Sequence, residues 1–536
     1  MKISLLYKNE EKSAATDAIY NLSIDRCAGV FCPDSARYDR FISVLSRPLT
    51  DPENILYRQA ILNDFISNPE LFDELKTIFL RYDKIKADWI ELRSGTHVNE
   101  GGSSETILAQ TYSSLKVTSV FPRTIMSFFT SISDILSSYE ISSPGLIHIR
   151  DYAGRMLADN NLEEIGKISS LFVYNEADDY NYEVAIQLSD DFKIIGCELT
   201  NIEPKPKKQL IEKQHKQYEK QLRQIYDEQK GAEFPENTEK KESKLSRLIS
   251  GISVKTKEKT SSVSAIDHES FDTVMYILTE ALSEIDITLT KITGDIYEIF
   301  HGLSSEMQFY DAAIKYCEFV SSAGVTLCTP KIMPMESELT DLIGLRDLFL
   351  ICEGMTNEQI IPNDLSLQPD LDGMLIRGSN NTGKTVFLRS AGIAQIFAQS
   401  GLPICADNAI ISVKSGIYSH FSAAEEDFTA GDTAGRFEGE VRCIANILDN
   451  LKPHSLLLLN ETFQTTSYSE GANGMYDILS VLPRLKTKYI FVTHLLDLYE
   501  RFNPEKTLLT QTVLTSEEGV TGSDISGKRY TLTRIK

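Results

Sequence analysis

The sequence predicts a multidomain chain: a mainly α-helical region with a projecting charged arm, followed by an α/β domain of the P-loop kind. Three observations carry this expectation. Apolar residues recur at steps of three and four through the first 190 or so residues and again from 266 to 310. After residue 330 short apolar runs replace them: "DGMLIRG", "SLLLLN" and "KYIFVT", each bounded by polar residues or glycine, with helical stretches between. That pattern fits a largely parallel sheet. Third, "GSNNTGKT" at 378–385 stands directly after one of these runs and opens a helix.

Bulk properties set the limits. A chain of 536 residues is too long for one core, so two to four domains are expected. Apolar content of 42% and charged content of 24% are those of a globular protein. No apolar run reaches the ~18 residues of a membrane span, and "MKISLLYKNEEKSAA" turns charged too early for a signal peptide. A cytoplasmic protein is the expectation. Of eight cysteines only Cys27 and Cys32 lie close together, with no answering Cys/His pair at zinc spacing. Free, mostly buried thiols are expected.

The element order follows from caps and periodicity. In "LSRPLTDPENILYRQAILNDFISNPELFDEL" Asp51 caps a helix with Pro52 at its first position, and Asn68 caps another before Pro69. Ile55, Leu56, Gln59, Ala60, Leu62 and Ile66 form the apolar stripe of the first. "RSGTHVNEGGSSE" (93–105) reads as a loop, and "EVAIQLSDDFKIIGCEL" (183–199) as strand-like runs broken by a polar turn. Residues 205–230 are polar almost all round, and a Lys/Ser-rich stretch follows to about 262. The segment is either a disordered linker or a projecting helical arm. Phe271, Val274, Leu278, Leu282, Ile285, Leu289, Ile292, Ile296 and Ile299 predict a rod-like helix with a break near Gly294. The expected divisions are 1–204 helical, 205–262 arm, 263–330 returning helices, and 331–536 nucleotide-binding domain.

Net charge is −23, which argues against a surface coated for nucleic acid. The charge is uneven, however. Lys205–Lys259 holds 15 Lys+Arg and 9 Asp+Glu, net +6; the other 39 basic and 68 acidic residues give −29.

The chemistry resides in the C-terminal domain. Gly378, Ser379, Asn380, Asn381, Thr382, Gly383, Lys384 and Thr385 spell G-x4-G-K-T, whose backbone wraps phosphates at a helix N-terminus. Lys384 is expected to reach the phosphates and Thr385 to hold magnesium, so ATP and Mg2+ are the expected ligands. "SLLLLNETFQ" ends a buried strand in Asn460 and Glu461, where such hydrolases usually carry Asp-Glu. Asn460 keeps an acceptor for the magnesium shell but lacks a charge. That charge is worth roughly 4 kcal/mol at ~4 Å before desolvation. Glu461 is the candidate for orienting or deprotonating water, and His494, at the end of "YIFVT", the candidate γ-phosphate sensor. Slow hydrolysis, rather than none, is expected.

The last 200 or so residues resemble the ABC-type ATPase of the MutS mismatch-repair family. "IIPNDLSL" (360–367), the loop with Asn380, "RFEGEV" (436–441), "NETFQTTSYSEG" (460–471) and "THLLDL" (493–498) follow the family's order and approximate spacing. More weakly, "SRPLTDPENILYRQA" resembles the start of the family's core domain, and an arm between long helices its lever and clamp. The resemblance implies a homodimer through the ATPase domains and DNA contact by the arm, with Lys205, Lys207, Lys208, Lys213 and Lys216 as candidates. It implies nucleotide contacts at Asn363 and at Ile360, which takes the place of an adenine-stacking Phe. In place of the family's trans-acting Ser-Thr-Phe stand Gly435-Arg436-Phe437, so Arg436, with Thr466 and Ser467, is the candidate to act across the dimer. No mismatch-reading domain is expected before the core, and Phe72-Asp73-Glu74, which spells the family's Phe-x-Glu wedge motif, falls mid-helix and reads as packing. The implied function is an ATP-driven, slowly hydrolysing clamp on structured DNA without mismatch reading. A ribosome- or RNA-associated factor and a non-hydrolysing switch on a protein partner are the alternatives.

Overall fold

Asp51 accepts a hydrogen bond from the Glu53 amide and Pro52 takes the first position, so the helix Pro52–Ser67 starts where the sequence places it. Its buried face is not the expected one. Ile55, Gln59 and Leu62 are buried, but Leu56 and Ile66 are about half exposed, while Asn54, Tyr57, Arg58, Ile61 and Phe65 are buried. The N-terminal segment causes the difference by covering the polar flank. Tyr57 donates to Ser4 O at 2.6 Å, Arg58 Nε to Leu6 O at 2.8 Å, and Asn54 accepts from the Lys8 amide at 2.8 Å. Asn68 stands before the helix Pro69–Ser94 and its carbonyl accepts from the Phe72 amide at 3.4 Å, but its side-chain amide turns back and donates to Asp64 O at 3.0 Å.

The computed structural model describes residues 3–11, 13, 15–94, 104–159, 165–167, 169, 180–188, 194–204, 268–422, 433–463, 467–516 and 528–535. The expected arm, with Lys205, Lys207, Lys208, Lys213 and Lys216, lies outside these residues, as does most of the loop expected at 93–105. The chain divides into two units, one of Met1–Leu80, Ile132–Tyr152 and Ile299–Lys536, the other of Arg81–Ser131 and Ala153–Glu298.

In the second unit strands β1 (Tyr180–Leu188) and β2 (Ile194–Pro204) pair antiparallel, as their alternating residues suggest. Its helical part packs Tyr112, Leu115, Leu282 and Leu289 into one core, and Ser114 Oγ donates to Asp286 at 2.8 Å. The rod-like helix runs unbroken over His268–Ser322, so no break occurs at Gly294. Glycine there costs about 1 kcal/mol relative to alanine, but Leu289, Thr293 and Ile296 on the same face are buried and hold the helix straight through.

The first unit carries the α/β part. Strands β3 (Lys331–Met333), β4 (Thr340–Leu345), β5 (Asn363–Leu367), β6 (Gly373–Arg377), β7 (Asn408–Ser412), β8 (Ile417–Phe421), β9 (Leu456–Asn460), β10 (Lys488–Val492), β11 (Thr507–Ser516) and β12 (Lys528–Arg534) form two sheets. The larger has the order β12-β11-β6-β10-β9-β8, with β11, β6, β10, β9 and β8 parallel and β12 antiparallel at one edge. The smaller, of order β3-β7-β4-β5, is mixed. The three apolar runs read from the sequence are β6, β9 and β10 at the centre of the larger sheet, which explains why they carry no alternation. Leu375, Leu457, Leu459, Tyr489 and Phe491 from one face pack with Phe463, Met475 and Leu479. Among the described residues no helix is long and apolar enough to cross a membrane.

Candidate active site

The loop between β6 and the helix Lys384–Gln399 is held by side chains behind it. A Cβ on Gly378 would sit 2.2 Å from Thr512 Oγ1, and Thr382 Oγ1 lies 2.6 Å from the same hydroxyl and donates to Ser379 O at 2.7 Å. Asn381 (φ 61°) and Gly383 (φ 83°) take left-handed backbone, and Gly383 stands at the helix N-cap. The resulting cradle offers backbone amides and a helix N-terminus to an anion. Lys384 is buried and donates from Nζ to Gly378 O at 2.9 Å and Ser379 O at 3.0 Å.

Two neighbouring strands bring the other groups to this cradle. Val492 of β10 pairs with Asn460 of β9, so residues 461 and 494 emerge from adjacent strand ends. Glu461 Oε1 lies 3.2 Å from His494 Nε2 and 4.0 Å from Lys384 Nζ, and His494 Nε2 lies 3.0 Å from Asn380 Oδ1 and 3.4 Å from Lys384 Nζ. Burial raises the Glu461 carboxyl to about 7, against the opposing pull of Lys384 and the His494 backbone amide. Burial, and then the Lys384 charge, lower His494, while burial lowers Lys384 itself.

Thr385 Oγ1 donates to Asn460 Oδ1 at 3.0 Å. Two neutral oxygen donors thus converge at the helix N-terminus, a set that suits magnesium, which keeps several waters and takes few protein ligands. Among the described residues no cluster of three or more His, Cys, Asp or Glu forms a self-sufficient metal site. The thiols of Cys27, Cys32, Cys317, Cys328, Cys352, Cys405 and Cys443 are free.

Beside the cradle opens a cleft of about 360 Å³ lined by Leu350, Met355, Ile360, Asn363, Phe387 and Tyr530 among others. Ile360 is buried in its wall. Asn363 is engaged with β12: it accepts from the Leu532 amide at 2.7 Å and donates to Tyr530 O at 3.4 Å. Asp347 forms part of the floor; it caps the short helix Leu348–Cys352 and accepts from Arg389 Nε at 3.0 Å. Thr512, Tyr530, Asp347 and Arg389 escaped sequence reasoning, because no motif marks the C-terminal hairpin and their partners lie far away in the chain.

Of the candidates for action across a dimer, only Ser467 has a described side chain. The backbone of Arg436 belongs to the helix Thr433–Asn450, but its side chain lies outside the described residues, as does Thr466 entirely. The Ser467 hydroxyl caps the helix Tyr468–Val481, accepting from the Glu470 amide and donating to the Glu470 carboxylate at 2.8 Å.

Residues 374–525 match the family profile of MutS domain V. The chain is 28% identical over 243 residues to the endonuclease MutS2 of Streptococcus thermophilus (strain ATCC BAA-491 / LMD-9), covering 42% of this chain and 30% of that protein. Its identity to the endonuclease MutS2 of Streptococcus gordonii is 36% over 138 residues, 26% of this chain and 17% of the other. To the DNA mismatch repair protein MutS of Caldanaerobacter subterraneus subsp. tengcongensis it is 24% over 230 residues, 40% and 26% of the two chains. The match thus spans less than a third of the length of these relatives. The "SLLLLN" and "YIFVT" strands, and the P-loop strand from its second residue, fall inside the matched region, so the part of the chain that holds the site is similar to domain V of the MutS family.

Proposed function

We propose that the protein binds ATP with magnesium and hydrolyses it slowly, using the nucleotide to drive a clamp-type conformational change on structured DNA. The observation that carries the hydrolytic half is the convergence of Glu461, His494 and Lys384 on the mouth of a phosphate cradle. Lys384 would exchange its two loop carbonyls for phosphate oxygens, and the cleft beside Ile360 would take the base. Thr385 and Asn460 would hold magnesium, which supplies positive charge to the phosphates when bound. Glu461, as carboxylate, accepts a proton from water and is kept in place by the His494 backbone amide. His494, neutral at its lowered pKa, donates or accepts at Nε2 without adding charge. Replacing Asp by Asn at 460 slows turnover through weaker metal binding while leaving the proton acceptor in place.

The DNA half rests on the net +6 of residues 205–259 within an otherwise acidic chain and on the family relationship. Homodimerisation through the ATPase domains, with Arg436 reaching the partner's nucleotide, belongs to the same proposal. Reading of mismatches does not: Phe72, the aromatic of the Phe-Asp-Glu run, is buried against Phe65 with ring centroids 5.2 Å apart. That burial supports leaving mismatch reading out of the proposal. The test is steady-state ATP turnover with and without branched DNA. Turnover that rises with DNA and vanishes in Glu461→Ala supports the proposal; ATP binding without turnover in either condition would turn the reading to a nucleotide-held switch. Co-sedimentation with ribosomes, without DNA stimulation, would move the partner to RNA.

A further inference from the structure

The turn that follows Glu461 is held in an unfavourable shape. Glu461 has φ 56° and Phe463 φ 63°, left-handed backbone that bulky L-residues rarely adopt. Such conformations persist only where surrounding contacts over-determine them. Three contacts do so here. The Glu461 amide donates to Val492 O at 2.9 Å, continuing the β9–β10 ladder one residue past the strand. Thr462 is fully buried, and its hydroxyl is hydrogen-bonded at 2.9 Å to Nδ1 of His420, itself buried on β8. Phe463 is buried with Ala472 and Met475, and its ring centroid lies 5.7 Å from that of Phe437.

Resting on the reading of Glu461 as the group that acts on water, we propose that His420, Thr462 and Phe437 are positioning residues. The Thr462–His420 hydrogen bond and the Phe463–Phe437 ring contact lock the turn, and so fix where the Glu461 carboxylate stands relative to His494 and Lys384. His420 suits this task because burial lowers its pKa and keeps the ring neutral. Glu440, whose charge acts on His420, is in turn tied to the end of β8 by Ser422, which donates to it at 2.6 Å. Phe437 adds a link to the helix Thr433–Asn450, whose first turn includes Gly435-Arg436. A segment that senses the partner subunit would thereby also bear on the proton acceptor.

Thr462→Val keeps the shape of the side chain and removes only the hydroxyl. The expected result is a fall in kcat of about tenfold or more, as misplacement of a reacting group by a fraction of an ångström produces. KM for ATP and affinity for a fluorescent non-hydrolysable ATP analogue should stay at wild-type values. Thr462→Ser should restore kcat. Phe437→Ala, at a ring 38% exposed and so tolerant of truncation, should give the same split and serves if Thr462→Val does not fold. Unchanged kcat in the folded variants, or equal changes in kcat and analogue affinity, overturns the positioning role alone. A wild type that binds the analogue yet never turns over ATP overturns both this role and the hydrolytic reading.

Discussion

Glu461 Oε1 and His494 Nε2 lie 3.2 Å apart at the ends of two adjacent parallel strands, with the Lys384 ammonium 4.0 Å from the same carboxylate oxygen. The carboxyl is drawn upward by burial to about 7, while His494 is drawn downward. Above pH 7 Glu461 is the carboxylate that accepts a proton; below it the group is increasingly protonated and inactive. Burial and the Lys384 charge hold His494 below its ordinary imidazole range, so its own limb lies at lower pH than that of Glu461. kcat/KM for ATP should therefore fall with decreasing pH along a limb inflecting near 7. Glu461→Gln should remove that limb and lower kcat by about a hundredfold or more with ATP-analogue affinity retained. A profile flat between pH 6 and 8 would falsify the assignment.

Asn460 offers its carbonyl oxygen to the Thr385 hydroxyl at 3.0 Å, the geometry an aspartate would also accept. Asn460→Asp should therefore fit without rearrangement and add the missing charge. We expect the magnesium concentration for half-maximal turnover to drop by about tenfold, and kcat to rise, since a charge at this range is worth up to roughly 4 kcal/mol before desolvation. Titration of magnesium at saturating ATP measures it. An equal or higher magnesium requirement would mean that the site is organised around the neutral amide.

Legibility in the sequence tracked how local each signal was. The strand and helix that flank residues 378–383, the strands β9 and β10 and the opening of the helix at Pro52 rest on short contiguous patterns, and each of these elements stands where it was expected. The buried face of Pro52–Ser67 was not legible, because the N-terminal segment that covers Asn54 and Arg58 comes from some fifty residues earlier in the chain. The unbroken rod at Gly294 was misread because flanking burial outweighs one glycine. In the site, Thr512 and Tyr530 could not be found, since a threonine on an edge-side strand and a tyrosine in a C-terminal hairpin become pocket walls only when the sheet closes. Asn363, expected from the family resemblance as a nucleotide contact, lines the cleft, and its bonds to the backbone of that hairpin had no signal in the sequence.

Gly378 is where the loop cannot take a side chain. A Cβ there would meet Thr512 Oγ1 at 2.2 Å, Thr382 Oγ1 at 2.9 Å and Thr512 O at 3.0 Å. The backbone oxygen cannot rotate away, so Gly378→Ala must push the loop out of the cradle. Affinity for the ATP analogue should drop at least about tenfold, while the midpoint of unfolding without nucleotide moves little, because the strain is confined to a surface loop. Gly378→Ala combined with Thr512→Ala, which removes the hydroxyl contact, should not rescue binding, since the carbonyl contact remains. Isothermal titration of both variants decides it.

Among the described residues of the first unit, Arg58 is the most deeply buried charged side chain. Its Nε donates to Leu6 O at 2.8 Å and its Nη1 to Ser400 O at 3.3 Å, while the guanidinium carbon lies 4.9 Å from the Tyr7 ring centroid and 5.7 Å from that of Phe309. It thus ties three segments far apart in the chain: the N-terminus, the helix Pro52–Ser67 and the residue just past the end of the P-loop helix. Replacing it by leucine removes the cost of burying a charge, which works in favour of the variant. Against that, two buried carbonyls lose their donors, at about 1–3 kcal/mol each, and the ring contacts go as well. The losses are the larger sum, so Arg58→Leu should lower stability by about 2–4 kcal/mol. Urea unfolding should show a lower midpoint at an unchanged slope. Because Ser400 follows the helix that begins at Lys384, the same variant should weaken nucleotide binding only as far as the fold loosens. A stabilised Arg58→Leu would instead mean that water reaches both carbonyls and that the charge contributes nothing to holding the N-terminus down.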